Sequence, residues 1–348
     1  MTGTGVPGSL SARPPREWLE PLLEALPAAR VAVFGDFALD AYWMVEGDSG
    51  ELSLETGLPV VRVRSQRYAP GGAANVVANL RDLGVGRVRA VGVLGDDLFG
   101  RELEALLAGA GADVRALRPR QADWLTQVFA KPLDAGREQR RLDFGSFNEL
   151  SRDARRSLEL DLEQAVEESD VVILNQQVPR GVSTPAMIAT LNAVIARHPG
   201  RRFVVDSRDR PGAYAGSVLK INDVELLLLA GAERRTRPIP LELTRRAALA
   251  VHAGTGEPLF ITRGEEGILV VDQGAVHVVG GHPQPGPVDP VGAGDTAVSA
   301  LAAALAAGAD GVRAAELANA AAAISVRKLQ VTGTASPDEL RAWFAGRG

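Results

Sequence analysis

The chain has 348 residues, 46% apolar and 23% charged, with 43 acidic against 38 basic side chains and a net charge of −5. That balance fits a globular protein of one large domain or two smaller ones, and argues against a nucleic-acid surface, which needs a concentrated basic patch. The absence of cysteine excludes disulfides and thiolate metal sites, and the four histidines show no metal-ligand spacing.

Residues 1–15 are mostly small and polar with scattered arginine, and lack the apolar core of a signal peptide. The longest apolar stretch, "AVSALAAALAA" at 297–307, is too short to span a bilayer. The expectation is a cytoplasmic protein with neither membrane nor nucleic-acid partners. Only Lys131, Lys220 and Lys328 are lysines, a bias read as codon usage. "REWLEPLLEAL" predicts an amphipathic helix, so residues 1–30 read as a leader and N-terminal helix preceding a main domain at 31–348.

"RVAVFGDF" predicts a buried strand feeding a loop, with Asp36 and Asp40 at the strand's end. Met44–Tyr68 is polar and β-tending, and within it "LPVVRVRSQRY" alternates as a half-exposed strand should. "PGGAANVVANLRDLG" reads as a turn and a helix, "RVRAVGVLG" as a strand and "DLFGRELEALLAGAG" as a helix. "LTQVFAKPL" and "REQRRLDF" bracket "DAG" as a hairpin. Alternation then resumes through "RDARRSLELDLEQAVEE", "DVVILN", "TPAMIATLNAVIARH" and "RFVVD". "EPLFITRGEEGILVVD" predicts two strands, "GAVHVV" a third, and two alanine-rich helices lie near the end. The fold class expected is α/β, a mostly parallel sheet with helices on both faces. Segments of about 44–68 and 124–144 lack crossover helices and are expected to pair as a small β-sheet lid.

"DPVGAGDT" at 289–296 enters the first alanine-rich helix. Gly292 and Gly294 let the backbone approach a ligand, and free N–H groups at a helix start attract anions. One reading is a plain helix entry capped by Asp295 or Thr296. A dinucleotide fingerprint, G-x-G-x-x-A through Ala297, fails because a second helix follows where a strand should stand. The third is phosphoryl transfer to an alcohol, with Gly292, Ala293 and Gly294 as an anion hole and Asp295 as the base beside it.

"DPVGAGDT" looks like the C-terminal signature of the ribokinase-like (phosphofructokinase-B type) carbohydrate kinases. "PGGAANVVANLRDLG" resembles their N-terminal signature and "GDFALD" their first substrate loop. "KINDVE" resembles their Asn-x-x-Glu motif, and "TRGEEG" their Thr-x-Gly-x-x-Gly loop. The likeness runs in order from about Ala32 to Leu340. "GDFALDAYW", "RLDF" and "ANAAAAISVRKL" most resemble kinase domains acting on D-glycero-D-manno-heptose 7-phosphate. Where those domains carry an Asp-Tyr-Gly-Lys-Gly-type loop, this chain has "QQVPRGV".

The resemblance implies a ribokinase-like fold and ATP-dependent phosphorylation of a sugar or sugar-phosphate hydroxyl. A kinase for another sugar or a nucleoside, or a catalytically idle binder on the same fold, are the alternatives. Asp40, ahead of Asp36, is implied as a sugar ligand, since a carboxylate accepts several hydroxyl hydrogen bonds. Gly71 and Gly72 are implied as a close backbone approach or a plain turn, and Asn75 as a hydroxyl partner. Asn222 and Glu225 are either a helix cap or the ordering groups for water and Mg²⁺ around ATP phosphates. Thr262, Gly264 and Gly267 are a tight hairpin or a nucleotide loop, with Asn319 near adenine. Asp289 and the Val291 carbonyl, with Ser325 and Gln330, are a candidate K⁺ site. Arg140 and Arg141 are either a solvated strand face or a phosphate grip. The loop's Gln176, Gln177 and Arg180 point to a polyhydroxylated anionic substrate preferred over heptose 7-phosphate, and the lid is a candidate homodimer contact.

Overall fold

A computed structural model describes residues 17–47, 50–329 and 332–346. The leader and Gln330 therefore lie outside the described residues. After α1 (Leu19–Ala25) the chain enters β1 (Arg30–Gly35) and, one residue later, β2 (Phe37–Glu46). Next come β3 (Arg62–Gly72), α2 (Ala73–Asp82), β4 (Arg87–Leu94), α3 (Leu98–Gly109) and β5 (Asp113–Pro119). The hairpin region supplies β6 (Gln127–Asp134), β7 (Arg137–Glu138) and β8 (Leu142–Phe144). Alternation resumes with α4 (Arg152–Glu168), β9 (Val171–Gln176), α5 (Pro185–Arg197), β10 (Arg202–Ser207), β11 (Val218–Asn222) and α6 (Asp223–Leu229). The rest is α7 (Leu241–Thr255), β12 (Leu259–Thr262), β13 (Gly267–Asp272), β14 (Ala275–Gly280), α8 (Ala293–Ala306), α9 (Gly311–Ser325) and α10 (Pro337–Ala345).

The main sheet runs β14-β13-β12-β11-β10-β9-β1-β4-β5, parallel except where β13 meets its two neighbours. Its central strands are apolar throughout, as burial on both faces requires. One face packs on α2, α8 and α9, and the other on α4, α5, α6 and α7. Buried alanines line both α8 and α9, so the two helices approach each other and the sheet closely. Chain order reverses beside β1, whose neighbours are β4 and β9. A ligand crevice is expected at the carboxyl ends of the strands there.

The second sheet, β3-β2-β6-β7 with β8 on β6, is the expected lid, but it begins earlier. "GDFALD" is not a loop: the chain turns at Asp36 straight into β2, where Phe37, Leu39 and Ala41 are buried in the apolar core. That alternating apolar row continues the strand pattern, so no loop forms. Likewise "PGG" is the tail of β3 rather than a turn, paired with β2 up to Phe37↔Gly72. Between Ser53 and Leu58 the lid connection is turn, not strand.

Candidate active site

Asp295 stands on the first turn of α8, whose N-cap is Gly292 in the left-handed region at φ 79°. No side chain caps this helix, so the capping alternative for Asp295 or Thr296 does not hold. The Asp295 carboxylate instead accepts a 2.8 Å hydrogen bond at Oδ2 from Asn75 Nδ2. Asn75 is itself oriented by Asn79, which donates to its Oδ1 at 3.0 Å. Asn75, expected to meet a hydroxyl, thus directs one of its two amide N–H groups to the Asp295 carboxylate. Burial pushes Asp295 up to about 7; Asn75 and Lys220 pull it down, while Asp206 and Asp40 push it further up.

Asp40, Gly72, Val291, Gly292 and Asp295 line one cavity of about 520 Å³ between the lid and the main sheet. Gly71 sits behind it, where an added Cβ would lie 3.4 Å from the Asp40 carboxylate carbon. At Gly72, with φ 55°, a Cβ would come within 2.7 Å of the Asp36 carbonyl, so only glycine fits this corner. Asp40 pairs with Lys131 at 3.0 Å, both nearly buried. Lys131 is held above the ordinary lysine range: burial opposes its charge, and Asp40 outweighs that.

Asp36, also expected among the sugar ligands, is buried and has its carboxylate turned to the backbone. Its Oδ2 accepts from the N–H groups of Gln177 and Val178, and its Oδ1 from Val182. It organises the 177–182 loop from below, and burial pushes it up to about 6 despite those bonds. Asp36→Ala leaves one buried and two part-buried N–H groups without this partner, at up to about 1–3 kcal/mol for the buried one. Expected is a fall in Tm of several degrees with sharply faster exchange of the 177–182 amides; an unchanged Tm contradicts the loop role.

Gln176 is also corrected. Its Oε1 accepts from Ser207 Oγ at 2.8 Å and from the Asp209 N–H at 3.0 Å, while Nε2 donates to Val178 O and Asp209 Oδ2. With its polar atoms spent on joining two loops, it has none to read a hydroxyl. Gln177 and Arg180 do line the cavity. Arg141 lines it too, paired with Asp143 and stacked 4.9 Å from the Phe129 ring centroid. Arg140 is exposed and does not line it.

The nucleotide candidates form a separate row along the sheet. Asn222 faces Thr262 in register, Gly267 faces Gly280, and Asn319 Nδ2 donates to the carbonyls of Val279 and Gly280. That donation ties the Asn319 amide nitrogen to the β14 backbone and leaves its Oδ1 uncommitted. Asn222 and Glu225 form a capping box at α6. Glu225 uses Oε2 on the Asn222 N–H, so Oε1 is the oxygen left for a metal-bound water. A Cβ at Gly264, at φ 61°, would meet only Arg237 Nη1 at an ordinary 3.8 Å, whereas one at Gly267 would strike the Val279 carbonyl at 2.1 Å. Asp289 lies against the end of α9, its N–H donating to Val326 O at 2.8 Å. Ser325 Oγ is turned back to Ala322 O.

Among the described residues no cluster of three metal-ligating side chains occurs. Four groups were missed in sequence: Lys131, Lys220, Gln127 and Arg208. Lys131 lines the cavity and Lys220 stands beside the α8 turn, and no pattern in the sequence marks either.

The sequence profile described as pfkB family carbohydrate kinase matches residues 28–339. The bifunctional protein HldE of Coxiella burnetii is 32% identical over 90% of this chain and 63% of its own length. HldE of Halorhodospira halophila is 34% identical, over 94% of this chain and 66% of its own. The chain thus spans less than two thirds of the length of these relatives. Arabidopsis thaliana ribokinase, solved with ribose and ATP, superposes with a TM-score of 0.68 at 20% identity, covering 91% of this chain and 98% of that one. Escherichia coli phosphofructokinase-2, solved with substrates and products, gives 0.71 at 23% identity, covering 91% and 99%. These likenesses show a shared fold. Among the described residues no helix is long and apolar enough to cross a membrane.

Proposed function

The chain belongs to the pfkB family of carbohydrate kinases, and we propose from that premise that it phosphorylates a hydroxyl of a sugar phosphate at the expense of MgATP. Heptose 7-phosphate is the first candidate acceptor. The observation that carries the reading is Asp295 on the first turn of α8, held by Asn75 at the edge of the cavity. Oδ2 is occupied by Asn75, which leaves Oδ1 to take the proton of the acceptor hydroxyl. The N–H groups of the Gly292–Gly294 turn supply an anion hole for charge developing on the phosphoryl oxygens.

MgATP, when bound, supplies the phosphoryl group and the metal charge. Asn222 and Glu225 would hold a metal-bound water, and Thr262, Gly264 and Gly267 would flank the nucleotide. Asp289 and the Val291 carbonyl remain a proposed K⁺ site beside the turn.

Charge in the cavity supports an anionic acceptor. Lys131, Arg141, Arg180 and Arg208 line it against Asp40, Asp143 and Asp295. Lys131 is spent on Asp40, Arg141 on Asp143 and Arg180 on Glu149. Arg208 also lines the cavity, with an exposed side chain, and an arginine fork matches a phosphate. ADP release should be measured over heptose 7-phosphate, other sugar phosphates, their parent sugars and nucleosides. A phosphorylated sugar should exceed its parent by at least about tenfold in kcat/KM. A neutral sugar or nucleoside as the best acceptor, or no ADP release from any, overturns the reading.

A homodimer through the lid is proposed on its exposed apolar residues. Leu58 is 65% exposed, and Val61 and Val63 are each 54% exposed, apolar side chains that a second copy would cover. Light scattering at micromolar concentration should give a dimer mass, and Val63→Asp should give a monomer. A monomeric wild type contradicts the contact.

A further inference from the structure

Beneath the α8 turn the sheet carries a buried polar row in a layer that is otherwise apolar. Asn175 on β9 is in register with Asp206 on β10, and Lys220 on β11 follows in the same rank. Ile173, Val204 and Val218, two residues earlier on the same three strands, are buried in the apolar cluster with α8. Lys220 Nζ donates to both oxygens of Asp206 at 3.1 Å, and the two side chains are only 9% and 11% exposed. Neither polar atom of the Asn175 side chain has a partner, and the residue is 1% exposed.

Lys220 also touches the turn itself. A Cβ at Gly294 would lie 3.3 Å from Lys220 Nζ, so the ammonium stands directly against the first turn of α8. A cation at a helix N-terminus is on the wrong end of the dipole. Burying it as an ion pair costs several kcal/mol of desolvation that the pairing need not recover. Such a lysine is favourable only where anions converge. Asp206 from β10, Glu225 from α6 and Asp295 from α8 act on it, with Asp40 from β2 acting on Asp295 and Arg208 on Glu225.

We propose that Lys220 is a positioning residue of the phosphoryl-transfer site, an internal cation beneath the anion hole that offsets the charge of Asp295 and of the phosphoryl group above it. Asp206 holds the ammonium in place with two of its three N–H groups, and the third remains for the turn side. The inference rests on the kinase reading above. It adds a residue that neither touches the acceptor nor lines the cavity. It also accounts for the close approach at Gly294, where an added Cβ would stand 3.3 Å from the ammonium.

The test compares wild type, Lys220→Met, Asp206→Asn and the double variant Lys220→Met/Asp206→Leu. Heptose 7-phosphate, or the sugar phosphate with the highest ADP release, is the acceptor. Lys220→Met should lower kcat by about 10²-fold, the lower end of the loss for one electrostatic donor at such a site, with KM for ATP within about threefold. Its acidic limb in kcat/KM should move to higher pH, because Asp206 is left uncompensated beside Asp295. Asp206→Asn should move that limb to lower pH. The double variant removes opposite charges, so its limb and Tm should return close to wild type while kcat stays at least about tenfold down. The double variant also covers the case in which Lys220→Met does not fold. Wild-type-like kcat in a folded double variant, or limbs that do not move in opposite directions in the single variants, overturns the proposal while leaving the kinase reading intact. No ADP release by wild type with any acceptor is failure of the kinase reading itself.

Discussion

Asp295→Asn is expected to keep the fold and ATP binding and to lower kcat by about 10²–10⁴, the usual contribution of a general base. An amide cannot take the hydroxyl proton, yet it fills the same volume. The same substitution should stabilise the protein above neutral pH. Asp295 is raised from its ordinary 3.8 to about 7 by burial. As pH rises from about 4 to 7 the unfolded chain releases this proton while the folded chain holds it, so the carboxylate costs stability that grows across that window. The shift corresponds to a few kcal/mol. Asp295→Asn should therefore show a higher Tm than wild type at pH 8, with the gap closing toward pH 4. Wild-type turnover, or a lower Tm at pH 8, contradicts the assignment.

Gly292→Ala is the second large effect. The residue sits at φ 79°, and its Cβ would lie 2.7 Å from Thr332 Cγ2 and 2.9 Å from Asn75 Nδ2. The left-handed conformation alone costs roughly 1–2 kcal/mol, which a domain of this size tolerates. The clash is more consequential, because relief requires the turn or the Asn75 amide to move. Either movement removes a part of the site, the anion hole or the hold on Asp295. A kcat lower by about 10²–10³ is expected, the loss typical of one oxyanion donor, with circular dichroism unchanged. Full activity in a folded Gly292→Ala protein removes the turn from the mechanism.

Local signals were legible where chemistry and chain are contiguous. The glycine turn and the carboxylate on the first turn of the helix it opens lie within the eight residues of "DPVGAGDT", and the structure keeps them together. Alternating strands and helices likewise announced the sheet. Contacts between distant segments were not legible. Asn75 meets Asp295 across 220 positions, and its single amide gives no sign of which partner it will find. Asp36 and Asp40 look alike in "GDFALD", yet one is consumed by loop N–H groups and the other faces the cavity, because the chain changes sheets between them. Gln176 and Gln177 are adjacent and diverge for the same kind of reason. Alternation on β9 turns Gln176 toward the 207–209 loop and leaves Gln177 at the cavity. Lys220, inside the motif-like "KINDVE", drew no attention beside Asn222 and Glu225, since only the sheet places it under α8.

The most direct test of the central claim is the pH dependence of kcat/KM, which reports the free enzyme's essential base. With the best sugar phosphate, activity should fall as pH drops through about 7, where burial holds Asp295. Asn75→Ala removes the hydrogen bond that pulls Asp295 down, so its limb should move to higher pH. An acidic limb near the ordinary carboxylate range, or one that stays in place in Asn75→Ala, contradicts Asp295 as the base.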